Sequence, residues 1–87
     1  MKFYVYMRRL HPGNSSLAEI NVRHIESPNI FEATEKAEAE FSHEGWEVVT
    51  ASNFDLGIKA FGSEWKAINV FSTNGYQIIE KEEKVNV

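Results

Sequence analysis

Apolar and polar positions alternate over the first part of the chain and then change to a helical spacing. Phe3, Val5 and Met7 fall on one face of a strand predicted over residues 3–10, with Tyr4, Tyr6 and Arg8 on the other. His11-Pro12-Gly13-Asn14-Ser15-Ser16 is a turn cluster, with proline preset for a turn and glycine free to take a positive φ. Residues 17–25 alternate again, Ala18, Ile20 and Val22 inward and Glu19, Asn21 and Arg23 outward, so the two strands are expected to pair as a hairpin. Ser27-Pro28-Asn29 then signals a helix start. Ser27 can cap, Pro28 suits the first turn, and Asn29 with Glu32 offers a second, box-like cap. Ile30, Ala33, Ala37 and Phe41, at spacings of three and four, make the apolar stripe of a helix running to about Glu44. Gly45 is expected to end it, with Trp46 folding back on Phe41. Trp46 to Ala51 reads as a strand.

An offset of thirty residues brings Phe31, Lys36, Ala37, Phe41, Ser42 and Gly45 onto Phe61, Lys66, Ala67, Phe71, Ser72 and Gly75, and Trp46 onto Tyr76. The echo suggests one unit used twice: amphipathic helix, glycine stop, aromatic residue, strand. Residues 52–62 fit two periods, since Leu56, Ile58 and Ala60 alternate while Ile58, Phe61, Trp65 and Ile68 fit a helix face. Gly57 and Gly62 oppose a continuous helix at about 1 kcal/mol each, and Ser63 is a good cap. A strand near 56–61, a helix near 63–73 and a last strand near 76–83 are therefore expected, with a fraying tail at about 83–87. The whole chain, 1–87, reads as a single domain. The fold class is α+β: an N-terminal β-hairpin followed by βαββαβ. That order, over about residues 17–83, resembles the ferredoxin-like fold, which implies a two-layer sandwich with two helices on one face of an antiparallel sheet. Without the strand at 56–61 the order becomes β-β-α-β-α-β, still an α+β domain.

Composition bears this out and narrows the chemistry. The chain has 87 residues, 43% hydrophobic and 25% charged, which is the balance of an ordinary globular domain. No apolar run reaches the roughly 20 residues that span a bilayer, and the apolar N-terminal stretch is too short for a signal peptide. With no cysteine there is no disulfide framework or zinc-thiolate site. A cytoplasmic location is the expectation. The net charge of -4 is uneven: residues 31–50 set Lys36 alone against Glu32, Glu35, Glu38, Glu40, Glu44 and Glu47. Residues 1–30 are mildly basic through Lys2, Arg8, Arg9 and Arg23. Such asymmetry concerns partners rather than fold.

No constellation points to catalysis. His24 and Glu26 share a strand face, but two ligands do not make a metal site. No glycine loop cradles a phosphate and no serine sits in a nucleophile elbow. Small ferredoxin-like enzymes such as acylphosphatases use an arginine in a glycine-rich loop, and that loop is missing. The protein is therefore read as non-enzymatic, with no cofactor and no metal. Two surfaces remain. Glu35, Glu38, Glu40 and Glu44 are expected at exposed positions of the first helix; Glu32–Lys36 is a favourable pair at i,i+4, and Glu40–Glu44 is a like-charge pair. Tyr4, Tyr6, Arg8 and, across the hairpin, Arg23 are expected on an open sheet face, as in sheets that stack single-stranded bases. The overall acidity opposes that second reading.

The stretch Glu44-Gly45-Trp46-Glu47-Val48-Val49 looks like small bacterial and phage proteins with an acidic helix before such a strand. The two helix–glycine–aromatic–strand units are similar in order to the peptidoglycan-binding SPOR repeat. In size, acidity and lack of cysteine, the chain resembles phage-encoded host-modulating proteins, including anti-CRISPR proteins. That resemblance implies an inhibitor that covers a basic, nucleic-acid-binding surface of a host complex with acidic groups. The expected function is thus protein binding through Glu35, Glu38, Glu40 and Glu44, with Tyr4, Tyr6, Arg8 and Arg23 as further contacts and a basic protein or protein–RNA surface as partner. The alternatives are a single-stranded nucleic-acid binder on the aromatic–arginine face and a homodimeric scaffold.

Overall fold

The hairpin forms where the alternation places it. β1 (Lys2–Leu10) pairs antiparallel with β2 (Leu17–Glu26), from Lys2 opposite Glu26 to Leu10 opposite Ala18. In the connecting loop the Asn14 side-chain oxygen accepts from both the backbone N–H and the hydroxyl of Ser16, and Gly13 takes φ +83. The structure, a computed structural model, describes residues 1–71 and 76–82, with the backbone alone described at 69–71. The expected tail at 83–87, and Ser72 and Gly75 of the internal echo, lie outside the described residues.

α1 (Ile30–Phe41) begins as expected, with Asn29 as its cap: the Asn29 side-chain oxygen accepts from the Glu32 N–H at 2.9 Å. It is shorter than expected. A 3-10 turn over Ser42–Glu44 tightens the end, and Gly45 at φ +85 stops it in the left-handed conformation. Trp46 joins Phe41 in one apolar cluster, and β3 (Glu47–Ser52) returns antiparallel to β1.

The next two elements exchange the expected types. Gly57–Phe61 is a 3-10 helix, not a strand, and Trp65–Phe71 is a strand, β4, not a helix. Gly57 and Gly62 both hold positive φ and bound the 3-10 segment, inside which Ile58 and Phe61, three apart, fall on one side. Trp65-Lys66-Ala67-Ile68 pairs with β5 (Gln77–Lys81), placing Ala67 opposite Ile79, so sheet pairing overrides the helical spacing. The fold is α+β with a five-stranded antiparallel sheet in the order β3-β1-β2-β5-β4 and one α-helix among the described residues. The expected two-helix, ferredoxin-like βαββαβ arrangement is corrected accordingly.

Both faces of the sheet are covered. On one, Phe3, Val5 and Met7 pack with Ala33, Ala37 and Phe41 of α1 and with Trp46. On the other, Tyr6, Ala18, Ile20 and Ile79 pack with Phe61 and Trp65, closed by Leu56 and by Ile58 and Ala60 of the 3-10 segment. The register explains why two covers are needed. Val5 stands opposite Arg23 and Met7 opposite Asn21, whereas Tyr6 stands opposite Val22 and Arg8 opposite Ile20. The apolar phases of β1 and β2 therefore fall on opposite faces. Replacing Phe41, 7% exposed, by alanine is expected to lower the unfolding free energy by ~3–5 kcal/mol in urea titrations. Phe31→Ala on the same helix, where the ring is 78% exposed, should change it by less than ~0.5 kcal/mol.

Candidate functional site

The eight residues expected at a binding surface do not share one. Tyr4, Tyr6 and Arg8 occupy one face of β1, but that face is not open. Tyr6 is fully buried under the 3-10 segment. Its hydroxyl donates to Asp55 Oδ1 at 3.0 Å and accepts from the Leu56 N–H at 2.6 Å, while the Gly57 N–H donates to the same Asp55 oxygen at 2.9 Å. Burial pushes the Tyr6 phenol above its ordinary pKa; the bond from Leu56 works against that rise and the Asp55 carboxylate adds to it. Tyr4 is half-buried and meets the His24 ring edge-on at 4.6 Å. Arg8 is spoken for: Nη2 donates to Glu47 Oε1 at 3.1 Å, and the guanidinium lies 5.7 Å from the centre of the Trp65 ring.

Arg23 lies on the other side of the sheet. The register sets it opposite Val5, and its guanidinium stacks 4.8 Å from the centre of the Phe41 ring beside α1. The open aromatic–arginine face is thus corrected: Tyr6 is interior and Arg23 belongs to the helix side. The single-strand reading loses the shared surface on which it was built.

The helix acids fare differently. Glu35, Glu38 and Glu40 are exposed, and none takes part in an ion pair among the described residues. Glu44 lies 3.8 Å from His43 Nε2, a pair only when that histidine is protonated. The expected Glu32–Lys36 pair is absent among the described residues, because Lys36 Nζ instead donates to the Glu26 carbonyl oxygen at 3.1 Å. The four acids are not one stripe either. Residues two positions apart on a helix are separated by about 200°, so Glu38 and Glu40 point to opposite flanks.

Glu35, Glu38, Ala39 and Ser42, at spacings of three, four and seven, form the flank that faces β3. With Trp46, Glu47 and Val48 they line an open groove of about 720 Å³. Ala39, Ser42, Trp46, Glu47 and Val48 were not expected at a site. The helical spacing could have grouped the first two with Glu35; nothing in the sequence places β3 beside them. Trp46 is 4% exposed and its indole N–H has no acceptor among the described residues. Arg9 stacks on the ring. Its guanidinium lies 4.4 Å from the Trp46 ring centre, Nε donates to Glu19 at 2.7 Å, and Nη1 donates to the Glu44 carbonyl at 3.0 Å. That last bond satisfies a carbonyl at the helix terminus with a cation, as the helix dipole favours. Among the described residues two large aromatic side chains, Phe31 and Phe54, are exposed.

Among the described residues no group of three or more His, Asp or Glu side chains is placed to hold a metal ion, and no helix is long and apolar enough to cross a membrane. No protein-family model matches the chain, and neither the curated proteins nor the solved structures compared with it give a match.

The Tyr6 clamp has a pH signature. A phenol whose folded pKa lies above its ordinary value of 10.0 contributes stability that is complete below that pH and is lost as pH rises through the folded pKa. The Tyr6 contribution to the unfolding free energy is expected to hold level up to about pH 10 and to fall above it. Tyr6→Phe should start ~1–3 kcal/mol lower, because the Leu56 N–H loses its acceptor, and should show a shallower alkaline fall. Urea titrations across pH 8 to about pH 11 read both effects.

Proposed function

We propose that this protein is a non-enzymatic binding module that docks its acidic helix on a basic surface of a partner protein or protein–RNA complex. It would act as an inhibitor by covering a surface that otherwise holds nucleic acid, in the manner of small phage-encoded host-modulating proteins. One observation supports the reading above others. α1 carries Glu32, Glu35, Glu38 and Glu40 with a single cation, Lys36, and that cation is turned back onto the Glu26 carbonyl. Like charges kept unpaired on one helix destabilise it by a few tenths of a kcal/mol per pair. In solution they raise the encounter rate with a cationic surface and repel anionic ones, nucleic acid included. The affinity itself would come from apolar anchors near those charges, for which Phe31, on the same helix, is the exposed candidate.

Charge reversal tests the proposal. The wild-type chain and a variant with Glu35, Glu38, Glu40 and Glu44 all changed to lysine are used side by side to capture proteins from host lysate. Capture by the wild type of a protein with a basic nucleic-acid-binding surface, lost in the variant while circular dichroism is unchanged, is the expected result. Equal capture by both chains overturns it.

A further inference from the structure

β3 is an outer strand of the sheet. β1 pairs with it on one side, and along Glu47–Ser52 its other edge has no strand partner among the described residues. Such an edge offers backbone donors and acceptors at strand spacing, a template for a further strand. Two features restrict what can add there. The first is a bulge. Tyr6 pairs with Thr50 and Met7 with Val48, so Val49 is an extra residue that breaks the edge into short runs. A broken edge resists indiscriminate pairing, so an occupant needs affinity beyond the backbone ladder.

The second feature is the charge beside the edge. The groove between β3 and α1 carries Glu35 and Glu38, both unpaired among the described residues, next to the apolar surfaces of Ala39, Trp46 and Val48. Antiparallel pairing of two copies through β3 would set both α1 helices on the same side of the joined sheet, acid toward acid. A second copy is therefore the disfavoured occupant. A lysine or arginine side chain is favoured on both counts, because its aliphatic stem can lie on the apolar surface while its charged head reaches the carboxylates.

We infer that the β3 edge and its groove form a recognition site for an extended, lysine- or arginine-bearing segment of a partner protein, which adds to β3 as a further strand and sets a basic side chain between the strand and α1. The inference rests on the acidic-helix reading above and narrows it to one flank of the helix and one mode of binding. Glu35 and Glu38 belong to the site; Glu40 and Glu44 lie outside it.

A fluorescein-labelled peptide of alternating valine and arginine is the probe, read by anisotropy at low salt and by amide chemical shifts. Saturable binding is expected, with shifts confined to Glu47–Ser52 and to the Glu35–Ser42 flank. Glu35→Gln with Glu38→Gln should weaken it about tenfold, whereas Glu40→Gln with Glu44→Gln should change it less than about threefold. The same peptide methylated at alternate backbone nitrogens should bind about tenfold more weakly, since it cannot complete the ladder. Equal binding of the methylated peptide, equal loss from the two glutamine pairs, or no saturable binding each overturns the strand-and-groove site. None of these outcomes touches the broader acidic-helix reading, which the charge-reversal capture decides separately.

Discussion

Tyr6 and Met7 are neighbours in β1, both are fully buried, and their side chains leave the strand on opposite faces. A sheet with its strongest apolar residues on both faces cannot leave either one to water. α1 covers the Met7 side, and the Gly57–Phe61 segment with Trp65 covers the Tyr6 side. Every other feature follows from that double demand. Since α1 is the single α-helix among the described residues, the second cover is a short 3-10 piece that contributes Ile58, Ala60 and Phe61. It is also fastened by polar bonds: the Tyr6 hydroxyl between Asp55 and Leu56, and the Gly57 N–H on the same carboxylate. A buried phenol that both donates and accepts in this way holds the loop in one place, and leaving either partner unmade is expensive.

The same economy governs the cations. Arg9 holds the Trp46 ring, Glu19 and the carbonyl end of the helix together. Arg8 pairs with Glu47, Arg23 stacks on Phe41, Lys36 caps the Glu26 carbonyl, and Lys66 pairs with Glu80. These positive groups are drawn into holding the framework, and none reaches the exposed acids of α1. The surplus of negative charge on that helix is thus a consequence of where the cations are placed as much as of how many glutamates the helix carries. It gives the molecule a strongly polarised surface beside the outer strand β3 and its groove.

The bulge at Val49 joins these two themes. Val48 faces the α1 cluster, while Val49 packs with the opposite cluster. Alternation along β3 thus gives each cover one valine. Met7 stands opposite Val48 and Tyr6 opposite Thr50, so Val49 is an extra residue that shifts the register between them. It also interrupts the exposed edge, which guards a bare outer strand against unselective pairing.

Local chemistry fixed much of this in advance. Two β-runs around Pro12-Gly13-Asn14 define the hairpin, Asn29 and Gly45 bracket the first helix, and the excess of glutamate over that helix is plain from its composition, because each of these depends on residues within a few positions of one another. The relation between β1 and β2 does not. Alternation gives the phase of each strand alone, and only the register across the hairpin sets Arg23 on the side of Val5 and buries Tyr6. The expected strand near 56–61 and helix near 63–73 failed for the same reason. Their apolar spacing suits strand, α-helix or 3-10 helix equally well. The choice came from distant partners: the Tyr6 hydroxyl, which captures Leu56, and Ile79, which draws Ala67 into the sheet. Charge on the helix was written in the chain; the groove beside it exists only because tertiary pairing placed β3 at the rim.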